Sequence, residues 1–381
     1  MSEMNKFCYI ATIPHVIYSF MSGHINEAAK HWDISIVCNS QDAELLESLP
    51  AHLIPLPIQR KIAPWQDLVT LARLILLFRR EHFTLVHSIM PKTGLLSMLA
   101  AWITRVPYRV HTFTGQVWAT QKGLKRLYLK LFDKLIVLFA TQVLVDSHSQ
   151  RQFLIDEGIL LHDQGSVIAN GSICGVDIAR FRPDEQVRKR IRSELSISEN
   201  QIIILFLGRL NKDKGMLDLA QAFSVIASCR ENVCLLLVGA EEDVSYEQIK
   251  QICGQQVHKL RRILFTASPQ YYMAAADIFC LPSYREGFGQ VIIEAAACAI
   301  PVVATRIYGI TDAVEEDKTG LLFQAGDIDS LTKALMRLID NAPLRLQMGM
   351  LAKDRATALF SSDQVTRELT DLYLQLLAIA R

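Results

Sequence analysis

The chain is predicted to be an α/β protein made of two Rossmann-like parallel-sheet domains in tandem. Three observations carry this. Short β-rich runs alternate with segments of helical spacing along most of the chain, the pattern of βαβ units. The alternation falters once, at Arg182-Pro183, where a charged stretch (DEQVRKRIRSEL) precedes a new apolar run. And 381 residues exceed what one hydrophobic core usually holds.

In the first series the strands are expected at 7–12, 34–38, 84–87, 108–112 and 142–146. Helices are expected between them at 26–31, 64–80, 92–104 and 123–139. The second series places strands at 202–207, 234–238, 263–266, 277–281 and 301–304, with helices at 216–228, 271–276 and 289–298. From about Asp329 the chain reads as helical, with a break near Pro343. The predicted division is therefore 1–182, 183–360 and a C-terminal helix over 361–381 that returns to the first domain.

Composition excludes several classes. Forty basic against 39 acidic residues give a net charge of +1, and half the residues are hydrophobic. Neither a nucleic-acid binder driven by bulk charge nor a disordered chain looks like this. The eight cysteines form no C-x-x-C pair and lie mostly within apolar runs. That is the pattern of reduced, buried thiols in a cytosolic protein rather than a disulfide frame or zinc site. The segment MSEMNKFCYIAT lacks the apolar stretch of a signal peptide. The run 68–78 is broken by Arg73 and stopped by Arg79-Arg80, so no bilayer span is expected. A soluble or peripheral protein follows.

Chemistry concentrates in 281–299, LPSYREGFGQVIIEAAACA. An apolar strand gives way to a polar turn containing Glu286, then to an Ala-rich helix opening near Gly289 and carrying Glu294. Unpaired N–H groups and the dipole at a helix start favour an anion. One carboxylate beside that start and another further down the helix suit a phosphate-bearing ligand with several hydroxyls. Upstream, the strand at 202–207 runs into GRLNKDKG. There Gly208 permits close backbone approach, and Arg209 and Lys214 set two permanent cations at the sheet's mouth. In open parallel sheets ligands bind beyond the carboxyl ends of the strands. A helix start, two cations and two carboxylates thus converge on one edge.

These residues resemble a known family. Glu286-x7-Glu294, with GRLNKDKG upstream and CLPSYREGFG around the first Glu, resembles the donor site of retaining glycosyltransferase family 4. The likeness continues through PVVATRIYGITDAVEEDKTGLLF. In the first domain it rests on HSIMPKTGLLSMLAA, RVHTFTG and NGSICGVDIARFRP, and it is nearest to the subgroup that builds bacterial polysaccharide or O-antigen on a lipid carrier. The resemblance implies a GT-B fold, with an acceptor-binding first domain facing a donor-binding second domain across a cleft. It implies that Arg209 and Lys214 hold the diphosphate of a nucleotide-sugar, with a UDP-sugar favoured. Gly208, Gly287, Phe288 and Gly289 would line the donor, Glu294 would accept from the ribose hydroxyls, and Glu286 would contact the donor sugar. Glu286 is not expected to be a covalent nucleophile, because the family is thought to retain configuration by same-face attack.

Two departures from the family pattern bear on the first domain. Many members carry a Gly-Gly loop after the first strand, whereas residues 13–23 here hold only Gly23, so no role is assigned there. Many also place a His before Gly in a later loop, where this chain has Thr114-Gly115, with His111 three residues earlier. Either Thr114-Gly115 or His111 could face the sugar or acceptor, and His111 could equally be a strand residue.

No cofactor and no essential metal are expected. Asp327-x-Asp329 follows Gly326 and reads better as a helix cap, and Glu241-Glu242-Asp243 is the alternative acidic cluster. The acceptor implied is a polyprenyl-diphosphate-linked glycan, met at the cytoplasmic face of the inner membrane. In TQKGLKRLYLKLFDKLIVLF, Lys122, Arg126, Lys130 and Lys134 form one helical stripe with Lys125 at its margin, opposite Leu124, Leu127, Leu131, Leu135 and Leu138. Such a helix could lie on anionic lipid, or it could bury its leucines in an ordinary domain. Other functions stay open beside the transferase: an epimerase of the same fold, or a non-catalytic nucleotide-sugar-binding scaffold. A dinucleotide enzyme lacks its G-x-G-x-x-G motif here.

Overall fold

The computed structural model describes residues 5–39, 41–59 and 62–378. The chain folds into two compact units, one of residues 1–174 with 362–381, the other of residues 175–361.

The first unit opens with β1 (Lys6–Ile10), α1 (Pro14–Ala28), β2 (Asp33–Cys38) and β3 (His52–Pro55). It continues with α2 (Pro64–Glu81), β4 (Leu85–Ile89), α3 (Pro91–Ile103) and β5 (Tyr108–Phe113). It adds α4 (Gly123–Phe139), β6 (Gln142–Val145), α5 (His148–Asp156) and β7 (Ser166–Val167). The seven strands form a parallel sheet in the order β3-β2-β1-β4-β5-β6-β7. Period-two alternation divides β1 between two cores. Cys8 and Ile10 join Phe78, Met98 and Ile136 on one face. Phe7 and Tyr9 join Ile17, Met21 and Leu369 on the other.

The second unit begins with α6 (Glu185–Glu194), β8 (Ile202–Leu207), α7 (Met216–Cys229) and β9 (Val233–Val238). Then come α8 (Tyr246–Cys253), β10 (Leu260–Ile263), α9 (Pro269–Ala275) and β11 (Ile278–Leu281). It closes with α10 (Gln290–Ala297), β12 (Val302–Thr305), α11 (Ile310–Ala313), β13 (Gly320–Phe323), α12 (Ile328–Ile339) and α13 (Ala342–Leu359). Its six parallel strands run β10-β9-β8-β11-β12-β13. Apart from Arg261 and Arg262 of β10 they are almost wholly apolar, because helices cover both faces. The last helix, α14 (Ser362–Ala378), packs on α1 of the first unit. There the Tyr373 hydroxyl sits 2.6 Å from His87 Nδ1 and receives a hydrogen bond from the Tyr9 hydroxyl at 3.3 Å.

Several elements differ from expectation. The first helix spans Pro14–Ala28 rather than 26–31. Pro14 sits in its first turn, where a missing N–H costs nothing, and Ile17, Met21, Ile25 and Ala28 make its buried stripe. The strand β3 was hidden by the prolines around it, which an edge strand tolerates. β10 occupies Leu260–Ile263 rather than 263–266, because Arg261 and Arg262 masked its strand character. Units also divide at 174/175, not at Arg182-Pro183. Val176 N–H already donates to the Phe360 carbonyl at 2.7 Å, and Phe181 lies in the second unit's core.

The charged stretch expected to mark the boundary is instead α6, capped by Asp184 and built into the second unit. Arg192, 1% exposed, donates to Asp277 Oδ2 at 2.6 Å, while Arg188 donates to Oδ1 at 2.7 Å. Asp277 also accepts from the N–H of Ile203 at 2.7 Å, tying α6 to the first strand of the sheet. Removing one member of such a buried set strands the other charge. Asp277→Ala is therefore expected to destabilise the second unit by about 3 kcal/mol, read as a lowered urea midpoint; an unchanged midpoint would refute this.

Candidate active site

In the second sheet β8 neighbours both β9 and β11, and the chain leaves β8 toward β9 before returning to β11 on the other side. The crevice at the carboxyl ends of β8 and β11 is a topological switch point, where open α/β sheets bind ligands. The loop after β8 supplies Gly208, Arg209 and Lys214, and the loop after β11 supplies Glu286.

The two loops are laced together. Gly215, at φ +67°, ends the short turn that carries Lys214, and a Cβ there would lie 2.0 Å from the carbonyl oxygen of Pro282. Only glycine lets the β8 loop come this close to the β11 loop. Tyr284 N–H donates to the Asp213 carbonyl at 2.8 Å, and Arg285 pairs with the Asp213 carboxylate at 2.9 Å. On the far side of the β11 loop, Gly309 packs against the backbone of Gly287, where a Cβ would meet its oxygen at 2.4 Å.

Each cation is held by a carboxylate. Lys214 Nζ donates to Glu286 Oε1, which also accepts from the buried Ser283 hydroxyl at 2.8 Å. Arg209 Nη1 donates to both oxygens of Glu242 at 2.6 and 2.7 Å. Asn211 joins the two pairs: its side chain accepts from Lys214 N–H at 2.9 Å and donates to Glu242 at 2.7 Å. Asn211, Glu242 and Ser283 were not singled out as site residues from sequence. Asn211 lies inside GRLNKDKG, and Glu242 inside the acidic cluster weighed only as a metal ligand.

The helix start behaves differently at its three positions. Gly289, at φ +78°, is the N-cap of α10. Phe288 is buried, edge-on to Phe360 at 5.3 Å, so its ring serves the core and only its backbone faces the loop. Glu294 lies within α10. Burial pushes its carboxyl up to about 7, against the smaller opposing effects of the Gln290 hydrogen bond and the Arg180 charge. The acidic side chains elsewhere have local duties. Asp327 accepts from the N–H of Ser330 at 2.9 Å and caps α12, and Asp243 accepts from the N–H of Lys212 at 2.9 Å. Among the described residues no cluster of three or more His, Cys, Asp or Glu is placed to hold a metal.

The residues singled out in the first unit lie apart from this set in the sequence and belong to a different sheet. His111 is wholly buried on β5, 2.8 Å from the Ser88 hydroxyl and edge-on to Phe113, and burial holds its imidazole down at about 3. A Cβ on Gly94 would touch its ring at 2.4 Å, so the side chain fills the space between the sheet and α3. Thr114 and Gly115 form the loop after β5, where the Thr114 carbonyl accepts from Gln116 and Gln150.

The basic stripe of α4 is also corrected. Arg126 and Lys130 turn to Glu157 at 2.5 and 2.7 Å and lie over the Trp118 ring, while Lys122 is the residue before the helix. Lys125 and Lys134 face solvent, together with Leu124, Leu127, Leu131 and Leu138. Burial of the whole leucine stripe in the domain, one of the two arrangements expected, is not found; two of the cations face inward instead.

Two Rossmann-like parallel-sheet units in tandem are the architecture of the glycosyltransferases of GT-B fold. Two family models match: "Glycosyl transferases group 1" over residues 187–355 and "Glycosyl transferase 4-like domain" over 26–171. A capsular polysaccharide biosynthesis glycosyltransferase of Staphylococcus aureus is 32% identical over 371 residues, covering 97% of this chain and 96% of its own. An Escherichia coli UDP-Gal:α-D-GlcNAc-diphosphoundecaprenol α-1,3-galactosyltransferase is 26% identical, covering 91% and 90%. Among solved structures, a sucrose-phosphate synthase from Thermosynechococcus elongatus superposes with a TM-score of 0.82 at 23% identity, covering 98% of this chain and 100% of that one. Anabaena HepE, in complex with UDP and glucose, gives 0.81 at 19% identity, with 98% and 100% covered. These two likenesses carry the fold. The chain belongs to the family-4 type of bacterial glycosyltransferases.

The Glu294 carboxyl has a thermodynamic signature. Its folded pKa lies above the ordinary glutamate range, so the folded state holds the proton where the unfolded state has lost it. Stability from this group is thus greatest at low pH and falls as the pH rises through about 7. Between about pH 5 and pH 8 the wild type should lose more thermal stability than Glu294→Gln. Equal losses in the two proteins would contradict the raised pKa of this carboxyl.

Proposed function

We propose that this protein is a retaining transferase of hexosyl or N-acetylhexosaminyl groups. The donor is a nucleoside-diphosphate sugar, with a UDP-sugar favoured, and the acceptor a polyprenyl-diphosphate-linked glycan of cell-surface polysaccharide synthesis. The enzyme works peripherally at the cytoplasmic face of the inner membrane. The observation that carries the reading is the pair of cations, Arg209 and Lys214, set at the β8–β11 switch point beside Glu286 and the start of α10. The acceptor class draws support from the relatives, one named for capsule biosynthesis and one for a diphosphoundecaprenol-linked acceptor.

When the donor enters, its diphosphate takes the place of the two carboxylates. Arg209 exchanges Glu242, and Lys214 exchanges Glu286, for phosphate oxygens. As the bond from the sugar's anomeric carbon to the diphosphate breaks, negative charge collects on the leaving oxygen. Arg209, Lys214 and the N–H groups at the start of α10 stabilise that charge in a site already arranged for it. This charge compensation takes the role a metal plays in other transferases, so no essential metal is assigned. Glu286, released from Lys214, accepts from hydroxyls of the donor sugar and fixes it as it becomes oxocarbenium-like. The acceptor hydroxyl attacks on the face the phosphate is leaving, and its proton passes to that phosphate. Glu294, when ionised, accepts from the two vicinal ribose hydroxyls.

Arg209→Ala and Lys214→Ala should each lower turnover by roughly a hundredfold or more; near-normal turnover in both would refute the clamp. Calorimetric titration with UDP, dTDP, GDP and CMP in EDTA should show selective binding of one nucleotide, strongly weakened in Glu294→Ala. Binding that Glu294→Ala leaves unchanged would refute the ribose role, and binding that appears only with added Mg²⁺ would refute metal independence.

A further inference from the structure

The carboxylate of Glu286 is held by one of its oxygens. Oε1 accepts from both Lys214 Nζ and the Ser283 hydroxyl, the latter at 2.8 Å. Among the described residues no group donates to Oε2. The two donors to Oε1 differ in freedom. Lys214 is a long, partly exposed side chain that can turn to another anion. Ser283 is wholly buried and carries its hydroxyl one rotatable bond from the backbone.

That backbone is fixed on both sides. The Ser283 carbonyl accepts from the hydroxyl of Thr305, itself wholly buried at the end of β12. Its neighbours are pinned as well, Pro282 by the close approach of Gly215 and Tyr284 by its hydrogen bond to the Asp213 carbonyl. The Ser283 hydroxyl is therefore set in place, with Glu286 Oε1 as its acceptor. A buried donor left without an acceptor is costly, so the bond resists being broken when Lys214 moves away.

We propose that Ser283 is a positioning residue that selects the donor sugar: it keeps Glu286 Oε1 turned inward once Lys214 has gone to the diphosphate, so that Oε2 alone is offered to the sugar hydroxyls. The proposal rests on the donor-site reading of Glu286 and Lys214. The terminal torsion of a glutamate is soft, and an untethered carboxylate sweeps both oxygens over a broad arc. It then accepts from hydroxyls of either configuration. One oxygen held in one direction favours the sugar whose hydroxyl points at it. The same tether keeps that sugar in place while its anomeric bond opens. Thr305 acts one step further back, by holding the serine.

The test is a double-mutant cycle on Ser283 and Glu286 in the full chain, with UDP, UDP-glucose and UDP-galactose as probes. Binding is read by calorimetry, and turnover as UDP released from the better-bound sugar nucleotide. Ser283→Ala should bind UDP as wild type does, while its turnover falls roughly tenfold or more, the worth of a hydrogen bond to a charged group. It should also narrow the difference in affinity between UDP-glucose and UDP-galactose, which differ in the configuration of one hydroxyl. Ser283→Cys, similar in size and a weaker donor, should fall between the two. Glu286→Ala has no carboxylate to position, so adding Ser283→Ala to it should cost nothing further. Wild-type turnover in Ser283→Ala, or a loss that adds in full to that of Glu286→Ala, would overturn the proposal. So would loss of UDP binding in Ser283→Ala, the mark of a collapsed loop rather than a misdirected carboxylate. Those outcomes leave the donor-site role of Glu286 standing, whereas normal turnover in Glu286→Ala would overturn that role and the proposal together.

Discussion

Two cations set at one sheet edge repel each other, and the second unit is arranged so that Arg209 and Lys214 each meet a carboxylate there. Glu242 and Glu286 each take one of them, and Asn211 bridges the two pairs through its amide. The arrangement requires that the β8 loop touch the β11 loop, which in turn requires Gly215 against Pro282. It requires adjacency of β8 and β11, which the right-handed crossovers of a parallel sheet supply. A ligand able to replace both carboxylates must itself bring negative charge, and a diphosphate does so. The pair of cations is thus complementary in charge to the ligand proposed for it.

Much of this was legible because it depends on local sequence. Glycines at strand ends, cations a few residues on and two carboxylates eight residues apart are each local signals, and the rule that ligands bind beyond the carboxyl ends of parallel strands brings the 208–214 and 286–294 segments together. What sequence reading missed depends on partners far apart. Glu242 looks like any acidic loop residue until Arg209 is found beside it, and Arg192 looks like one charge in a solvated run until Asp277 is found beneath it. Phe288 was read with the donor because it sits between two site glycines, yet its ring is spent on Phe360. His111 has the chemistry of a ligand and the position of a core residue.

Helix α4 shows the limit of periodicity most clearly. Spacing alone separates its leucines from its cations but cannot say which face turns in. The answer came from Glu157 and Trp118, which offer Arg126 and Lys130 an ion pair and an aromatic face on the protein side. With those contacts made, the leucines are left outside. A helix wheel records amphipathicity; the neighbouring elements decide its direction.

The return of α14 to the first unit bears on how the protein is made. Leu369 and Tyr373 belong to the same core as Phe7 and Tyr9, and the Tyr373 hydroxyl completes the hydrogen bonding of His87. On the ribosome, domains ordinarily finish in the order in which they emerge. Here residues 175–361 are synthesised whole before α14 appears, so the second unit can complete its core while the first unit still waits for a missing wall. Until then Phe7, Tyr9, Ile17 and Met21 lack the Leu369 and Tyr373 side chains that share their core, so this apolar surface is covered late in synthesis rather than early.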